Sequence, residues 1–125
     1  KYFQRFGRPK KPQDLREHIC LVNLLSTPKG WPFQSASRQF HVEVKGALSS
    51  NSSAVLVQMA LQGDGIIRVP HYVVKAQLAD KTLQAIFEGM TLSPERVRAY
   101  FSKAKHLPAK TTDFIHFLQA SIAAP

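Results

Sequence analysis

The stretch LSSNSSAVLVQMALQGDGIIRVP, residues 48–70, holds the junctions that decide the fold. Polar residues cluster immediately before an apolar segment with helical spacing, whose one face carries Leu56, Met59 and Ala60. The segment therefore predicts a helix over 52–62 whose amino terminus is capped by a side-chain oxygen. The candidate caps are Ser50, Asn51 and Ser52.

Two glycines flank one acid where this helix ends. Gly63 predicts the helix end, because glycine adopts the left-handed conformation at little cost. Gly65 lets the backbone pass close to its neighbours, so the chain reverses into a short strand over 66–69. Asp64 between them is either a solvated turn residue or a partner for a ligand that carries a cation or a hydroxyl.

Signals for strands and helices alternate along the rest of the chain, with no internal repeat. This order predicts an open α/β sheet with helices on its faces. In such sheets, ligands bind at the carboxyl ends of strands and the amino ends of helices. The further predicted elements are a short helix at 12–18, a buried strand at 19–25, a hairpin over 31–46, a helix at 71–81, strands at 82–89 and 96–103, and a helix at 108–122.

Length and composition restrict the class of protein. The chain has 125 residues, which is in the range of one domain. No apolar stretch approaches the ~18 residues of a membrane span, so no membrane association is expected. Cys20 is the single cysteine, which excludes an internal disulfide and favours a reducing cytoplasm.

The formal net charge is +9, and the basic residues are concentrated at the start of the chain. Aromatic Tyr2, Phe3 and Phe6 interleave with them, which is compatible with an arm that lies on phosphates and stacks on bases. The alternative is an amphipathic helical turn that buries the three rings and leaves the cations in water. Five of the 17 basic residues fall in this segment, namely Lys1, Arg5, Arg8, Lys10 and Lys11.

Catalytic and metal-binding patterns find little support. The eight acids form no convincing pair on a helix face, and the five histidines lack a spacing such as HxxxH. Cys20 has no evident histidine partner, and neither GxxxxGK nor GxSxG is present. We therefore expect no enzymatic activity, no metal and no cofactor.

Five stretches together resemble a known family. They are KYFQRFGRPKKPQDLREHICL at 1–21, Trp31-x-Phe33, the Ser-Asn before the helix, ALQGDGIIRVP at 60–70 and VRAYFSKAKHLPAKTTDFIHFL at 97–118. Their order and spacing resemble the second half of the effector-binding domain of LysR-type transcriptional regulators, over residues 2 to about 122. Within that family, the middle position of the Gly-x-Gly is commonly apolar, and Asp64 departs from it.

The resemblance implies a fold like that of periplasmic solute-binding proteins, an open mixed sheet with flanking helices in two lobes. Residues 1–13 would be a connector from the first lobe and hinge, 14–89 the complete second lobe, and 90–125 the return through the hinge with a strand and helix of the first. The first lobe would be only partly present, so its returning elements should expose apolar surface. Either another chain supplies the partners or the sequence is an incomplete record.

The resemblance also implies an effector site between the lobes. The capped helix start at 49–53 is the main candidate, because free backbone N–H groups and the helix dipole favour a carboxylate or phosphate. Plain capping is the alternative there, and plain core is the alternative for the aromatic pair. The full set of candidates is Ser26, Thr27, Trp31, Phe33, Ser50, Asn51, Ser52, Gly63, Asp64 and Gly65.

The implied partners are a small, anionic effector and DNA. DNA would be bound through an amino-terminal winged helix-turn-helix that is absent from this chain. The family commonly forms dimers or tetramers, in which the helix at 52–62 would lie at a contact. Two other hypotheses remain open: a stand-alone solute-binding module and a small basic nucleic-acid-binding domain, which predicts a steep salt dependence of DNA affinity.

Overall fold

A parallel sheet of three short strands forms the centre of the fold. Strand β1 (Cys20–Asn23) lies in the middle, between β4 (Gly46–Ser50) and β5 (Ile66–Ile67). Both neighbours run parallel to β1. The carboxyl ends of all three strands therefore meet at one edge of the sheet, as the alternating pattern of strands and helices predicts.

The computed structural model describes residues 1–24, 30–36, 38–90 and 108–123. The chain divides into two units, Lys1–Pro94 and Glu95–Pro125. The sheet belongs to the first unit. The assignment of 1–13, 14–89 and 90–125 to a connector and two lobes stays a prediction.

Helix α2 (Ser53–Gln62) connects β4 to β5 and packs on the sheet through Leu56 and Val57. Its predicted ends are confirmed. The Ser52 hydroxyl accepts a hydrogen bond from the Val55 amide, and Gly63 ends the helix in the left-handed conformation at φ 91°. This helix is the crossover that two parallel strands require.

A hairpin lies beside the sheet. Its strands β2 (Trp31–Ser35) and β3 (Arg38–Val42) pair in antiparallel register, with Trp31 opposite Val42. The predicted hairpin is therefore confirmed over these strands. The sequence prediction missed β4 altogether, because its residues GALSS have low strand propensity and were interpreted only as the approach to a helix cap.

The amino-terminal segment is folded onto the same unit. Helix α1 (Tyr2–Phe6) is followed by a 3-10 helix (Pro12–Glu17), close to the predicted short helix at 12–18. Tyr2 is buried, whereas Phe6 is 45% exposed, so the predicted amphipathic turn is right for Tyr2 and wrong for Phe6. The Ile19 amide donates to the Tyr2 hydroxyl at 2.8 Å, which holds α1 against the start of β1.

Two predictions over the later part of the first unit need correction. The strand predicted at 82–89 is wrong, because the segment forms bends and a turn in which Phe87 takes a left-handed φ of 59°. The helix predicted at 71–81 is interrupted at Val74. It consists of a 3-10 turn (His71–Val73) and a short helix α3 (Lys75–Ala79).

In the second unit, the described residues form helix α4 (Ala109–Ala123), close to the helix predicted at 108–122. Phe114 and Phe117 are 59% and 64% exposed. The predicted strand at 96–103 lies outside the described residues. Within the ranges described, no helix has both the length and the apolarity needed to cross a membrane.

Candidate functional site

The carboxyl edge of the parallel sheet brings together the ends of β1 and β4. Asn23 and Ser50, the last residues of the two strands, are register partners, and the Leu24 amide donates to the Ser50 carbonyl at 3.0 Å. Helix α2 starts three residues after Ser50. The helix therefore begins at this edge, where an α/β sheet binds ligands.

A serine-rich turn, Ser50–Ser52, joins β4 to α2 and is held by hydrogen bonds of its own side chains. The Ser50 hydroxyl accepts a hydrogen bond from the Ser52 amide at 3.1 Å. The Ser52 hydroxyl in turn accepts one from the Val55 amide at 3.4 Å. Asn51, between the two serines, is exposed. Two serines thus order the backbone while the amide side chain of Asn51 faces solvent.

The start of α2 carries an uncompensated partial positive charge. The first turn of the helix contains no acidic residue. The Leu56 amide is the first to donate within the helix, to the Ser52 carbonyl at 3.2 Å, so the helix itself offers no acceptor to the amides of Ser53 and Ala54. Their N–H groups and the helix dipole favour an anion at this position.

The Gly63–Gly65 turn lies at the opposite edge of the sheet, where β5 begins. A Cβ on Gly65 would lie 2.8 Å from the Ile19 carbonyl oxygen, so this glycine permits the close approach of β5 to β1. A Cβ on Gly63 would lie 3.1 Å from the Lys1 Cβ. The structure therefore separates these two glycines and Asp64 from the serine-rich turn, with the length of α2 between them.

The aromatic pair of the hairpin belongs to the hydrophobic core. Trp31 and Phe33 are 3% and 5% exposed and pack with Leu15, Cys20 and Ile66, among others. The Trp31 indole Nε1 is buried and has no hydrogen-bond acceptor among the described parts of the chain. Both rings thus pack in the core of the first unit, and their role as a pocket wall stays a prediction.

Two candidates, Ser26 and Thr27, lie outside the described residues. The sequence prediction extended the first strand to residue 25, whereas β1 ends at Asn23. It therefore missed that Asn23 stands directly opposite Ser50 at the carboxyl edge. A polar residue after the apolar run ICLV was the available signal.

Two of the depressions on the surface of the first unit lie away from the serine-rich turn. One, of about 590 Å³, is lined by residues that include Arg8, Phe87 and Met90. The other, of about 300 Å³, lies next to Gly63 and Lys1. Among the residues placed by the structure, no three His, Cys, Asp or Glu side chains converge on a possible metal position.

Burial makes the thiol of Cys20 unreactive. The side chain is fully buried in the core, and desolvation raises its pKa to about 12. The thiol therefore stays protonated at neutral pH. Cys20 thus serves core packing.

Comparison with known proteins decides the family. The model of the LysR substrate binding domain matches residues 1–123. This chain belongs to that family. A LysR domain is thus confirmed, and so is the resemblance carried by the five sequence stretches.

Two relatives place this LysR domain among known proteins. The probable HTH-type transcriptional regulator LtrA of Klebsiella pneumoniae is 27% identical over 128 residues, covering 98% of this chain and 41% of LtrA. The HTH-type transcriptional activator TtdR of Escherichia coli K12 is 37% identical over 68 residues, covering 53% of this chain and 22% of TtdR. The chain thus spans less than half the length of these relatives.

A solved structure supports the fold. The regulatory domain of the C227S variant of AphB from Vibrio vulnificus has a TM-score of 0.74 and 22% identity, covering 95% of this chain and 60% of that one. At this identity, the likeness shows the fold alone. The predicted α/β fold of the LysR regulatory-domain type is confirmed.

Proposed function

We propose that this LysR domain is the effector-sensing part of a transcriptional regulator and binds a small organic anion at the carboxyl edge of its sheet. The observation that carries the proposal is the start of α2, where the amides of Ser53 and Ala54 are available and the first turn has no acid. Asn51 adds an exposed side-chain amide at the same place. Hydrogen bonds to an ionised acceptor are stronger than neutral ones, which favours a carboxylate or phosphate.

The expected strength of this interaction is modest. A charge at a helix end contributes typically about 0.3–1 kcal/mol and up to about 2 kcal/mol when partly buried. Such a site orients the effector and selects for its charge, and further contacts must add affinity. Ser26 and Thr27 follow β1 in the sequence, and we propose that they contribute to these contacts.

The regulator would act on DNA through another part of the protein. LtrA and TtdR are HTH-type regulators, and this chain matches less than half of each. DNA binding by a helix-turn-helix elsewhere, assembly into dimers or tetramers, and a cytoplasmic location are therefore parts of the proposal. No catalytic step is assigned to the chain.

A thermal-shift screen tests the proposal. The full-length regulator is mixed with short mono- and dicarboxylates, including succinate and benzoate, and with the matched neutral amides. A ligand that binds the native state raises the melting temperature, by an amount that grows with its concentration above Kd. We expect a subset of the carboxylates to raise it and their amides to have little effect. Equal shifts with acids and amides, or none with any acid, would contradict the proposal.

A further inference from the structure

The first eleven residues form a strongly basic surface. They contain no acidic residue, and the side chains of all five cations are exposed. This concentration of charge has no counterpart in the candidate effector site. We call this surface the basic surface. Its cations are Lys1, Arg5, Arg8, Lys10 and Lys11.

The backbone that carries the basic surface is anchored to the folded unit. Tyr2 is buried, and its hydroxyl accepts a hydrogen bond from the Ile19 amide at 2.8 Å and shares another with His18 Nδ1 at 3.1 Å. Lys1 and Arg5 are four residues apart at helix α1, so they lie about one turn apart on the same side. The anchored helix thus presents two cations together.

Both guanidinium groups of the basic surface are held by aromatic rings. Arg5 lies over the Phe6 ring at 5.1 Å, and Arg8 lies over the Phe3 ring at 5.8 Å. Arg8 also donates one hydrogen bond to the Ala85 carbonyl at 2.8 Å. A guanidinium has five N–H donors, so donors remain for a further acceptor. Restricted side chains also lose less entropy on binding.

Backbone hydrogen bonds to Asp14 fix the loop at Lys10 and Lys11. Asp14, the nearest acid along the chain, accepts hydrogen bonds from the backbone amides of Lys10 and Lys11 at 2.9 and 3.1 Å. The carboxylate thus orders the loop through its backbone. Buried Pro9 and Pro12 fix the loop on either side.

We propose that the basic surface contacts the sugar-phosphate backbone of duplex DNA. The inference rests on the proposed function, because a regulator holds DNA near this domain and a tethered contact gains from a high effective concentration. Contacts to phosphate are independent of base sequence and position the protein on the duplex. On its own, the surface would bind duplex DNA with a Kd of roughly 10⁻⁴–10⁻⁶ M.

The test measures the salt dependence of DNA affinity. Fluorescence anisotropy of a labelled duplex is followed with the 125-residue chain over a series of salt concentrations. Each phosphate contact contributes about 0.9 to the slope of log K against log salt. We expect a slope of about −4 for the wild-type chain. A variant with Arg5, Arg8, Lys10 and Lys11 all changed to Gln should lose about three units of that slope and bind at least about tenfold more weakly.

A matched variant removes the same charge elsewhere. It changes Arg38, Lys45, Lys75 and Lys81, all exposed, to Gln, and its slope should change by less than about one unit. Circular dichroism checks the fold of each variant. If the quadruple variant at the basic surface unfolds, the single variant Arg5→Gln replaces it in the anisotropy measurement. Its salt slope should be shallower than that of the wild-type chain by about one unit.

Several results would overturn the inference. They are a wild-type slope shallower than about −2, equal losses in the two quadruple variants, or tighter binding to single-stranded RNA or to phosphatidylglycerol vesicles than to duplex DNA. The carboxylate thermal shift is a separate readout that the variants at the basic surface should retain. If no carboxylate raises the melting temperature of the wild-type regulator, the proposed function is contradicted. The salt slope still tests the DNA contact separately.

Discussion

The two edges of the parallel sheet differ in how they are closed. At the amino edge, Gly65 allows β5 to lie against β1, and the Ile66 amide donates to the Ile19 carbonyl at 2.9 Å. At the carboxyl edge, β1 and β4 end in the polar residues Asn23 and Ser50, and Asn51 is exposed. The amino edge is thus sealed by backbone packing, whereas the carboxyl edge presents hydrogen-bonding groups to solvent.

This difference separates two motifs that look alike in the sequence. Both are short polar junctions at an end of α2, and both were candidates for effector binding. The Gly63–Gly65 turn closes the sheet, and its exposed residue, Asp64, carries the wrong charge for an anion. The Ser50–Ser52 turn has the free amides and the positive end of the helix.

The largest effect on stability is expected from a substitution at the amino edge. In Gly65→Ala, the new Cβ would lie 2.8 Å from the Ile19 carbonyl oxygen and 2.9 Å from Leu21 Cγ, so the strands must shift. We expect a loss of about 1–3 kcal/mol in the free energy of unfolding, measured with urea. Asp64→Ala, at the exposed neighbour, should stay within about 0.5 kcal/mol. Equal stability of the two variants would contradict the close packing of β5 against β1 at Gly65.

A smaller effect on stability is expected from the helix cap at the carboxyl edge. Ser52→Ala removes the hydroxyl that accepts from the Val55 amide, and the free energy of unfolding should fall by about 1 kcal/mol. The control is Ser49→Ala, which removes an exposed hydroxyl of β4. The same urea titrations compare them, and an unchanged stability of Ser52→Ala would show that the cap contributes nothing.

The smallest effect concerns the loop before the 3-10 helix and depends on pH. Hydrogen bonds from the backbone amides of Lys10 and Lys11 lower the pKa of Asp14 below its ordinary value of 3.8. A carboxyl group whose pKa is lower in the folded state stabilises the fold above its unfolded pKa, and this contribution is lost as the pH falls through the folded pKa. Asp14→Ala should therefore lower the melting temperature at neutral pH.

The pH series supplies the check on Asp14. The difference in melting temperature between the wild-type chain and Asp14→Ala should shrink as the pH falls below about 3.8. Glu17→Ala, at an exposed position of the same 3-10 helix, is the control for a simple change of net charge. A difference that stays constant down to acid pH would contradict the assigned role.

The sequence predicted those features that depend on local chemistry. A serine before an apolar helical face indicates a cap, and a glycine after it indicates a left-handed helix end, so both ends of α2 were correct. Alternating residues likewise predicted the hairpin. The strand at 82–89 was wrong because Leu83, Ala85 and Phe87 alternate as in a strand while the backbone turns at Phe87.

Long-range pairing was beyond the local pattern. Strand β4 owes its conformation to pairing with β1, and nothing in GALSS signals that partner. The predicted helix over 52–62 already places the two candidate turns at its opposite ends, but it does not show which strands flank them. The burial of Trp31 and Phe33 likewise follows from how the hairpin packs with Leu15 and Ile66. The parallel pairing of β1 with β4 and β5 shows which strand ends meet at each edge.

The most direct test of an anion at the carboxyl edge places a negative charge at each edge in turn. Calorimetric titration uses the carboxylate with the largest thermal shift in the screen and the full-length regulator. Asn51→Asp should weaken its binding by on the order of tenfold or more, because like charges repel. The same change should leave or raise the unliganded melting temperature, since an acid near a helix amino terminus is stabilising.

The matched control removes a charge from the opposite edge. Asp64→Asn should leave the carboxylate Kd within about twofold, since a difference that small is only a few tenths of a kcal/mol. The account predicts a large loss of affinity in Asn51→Asp and none in Asp64→Asn. An unchanged affinity in Asn51→Asp, or a larger change in Asp64→Asn, would contradict an anion site at the start of α2.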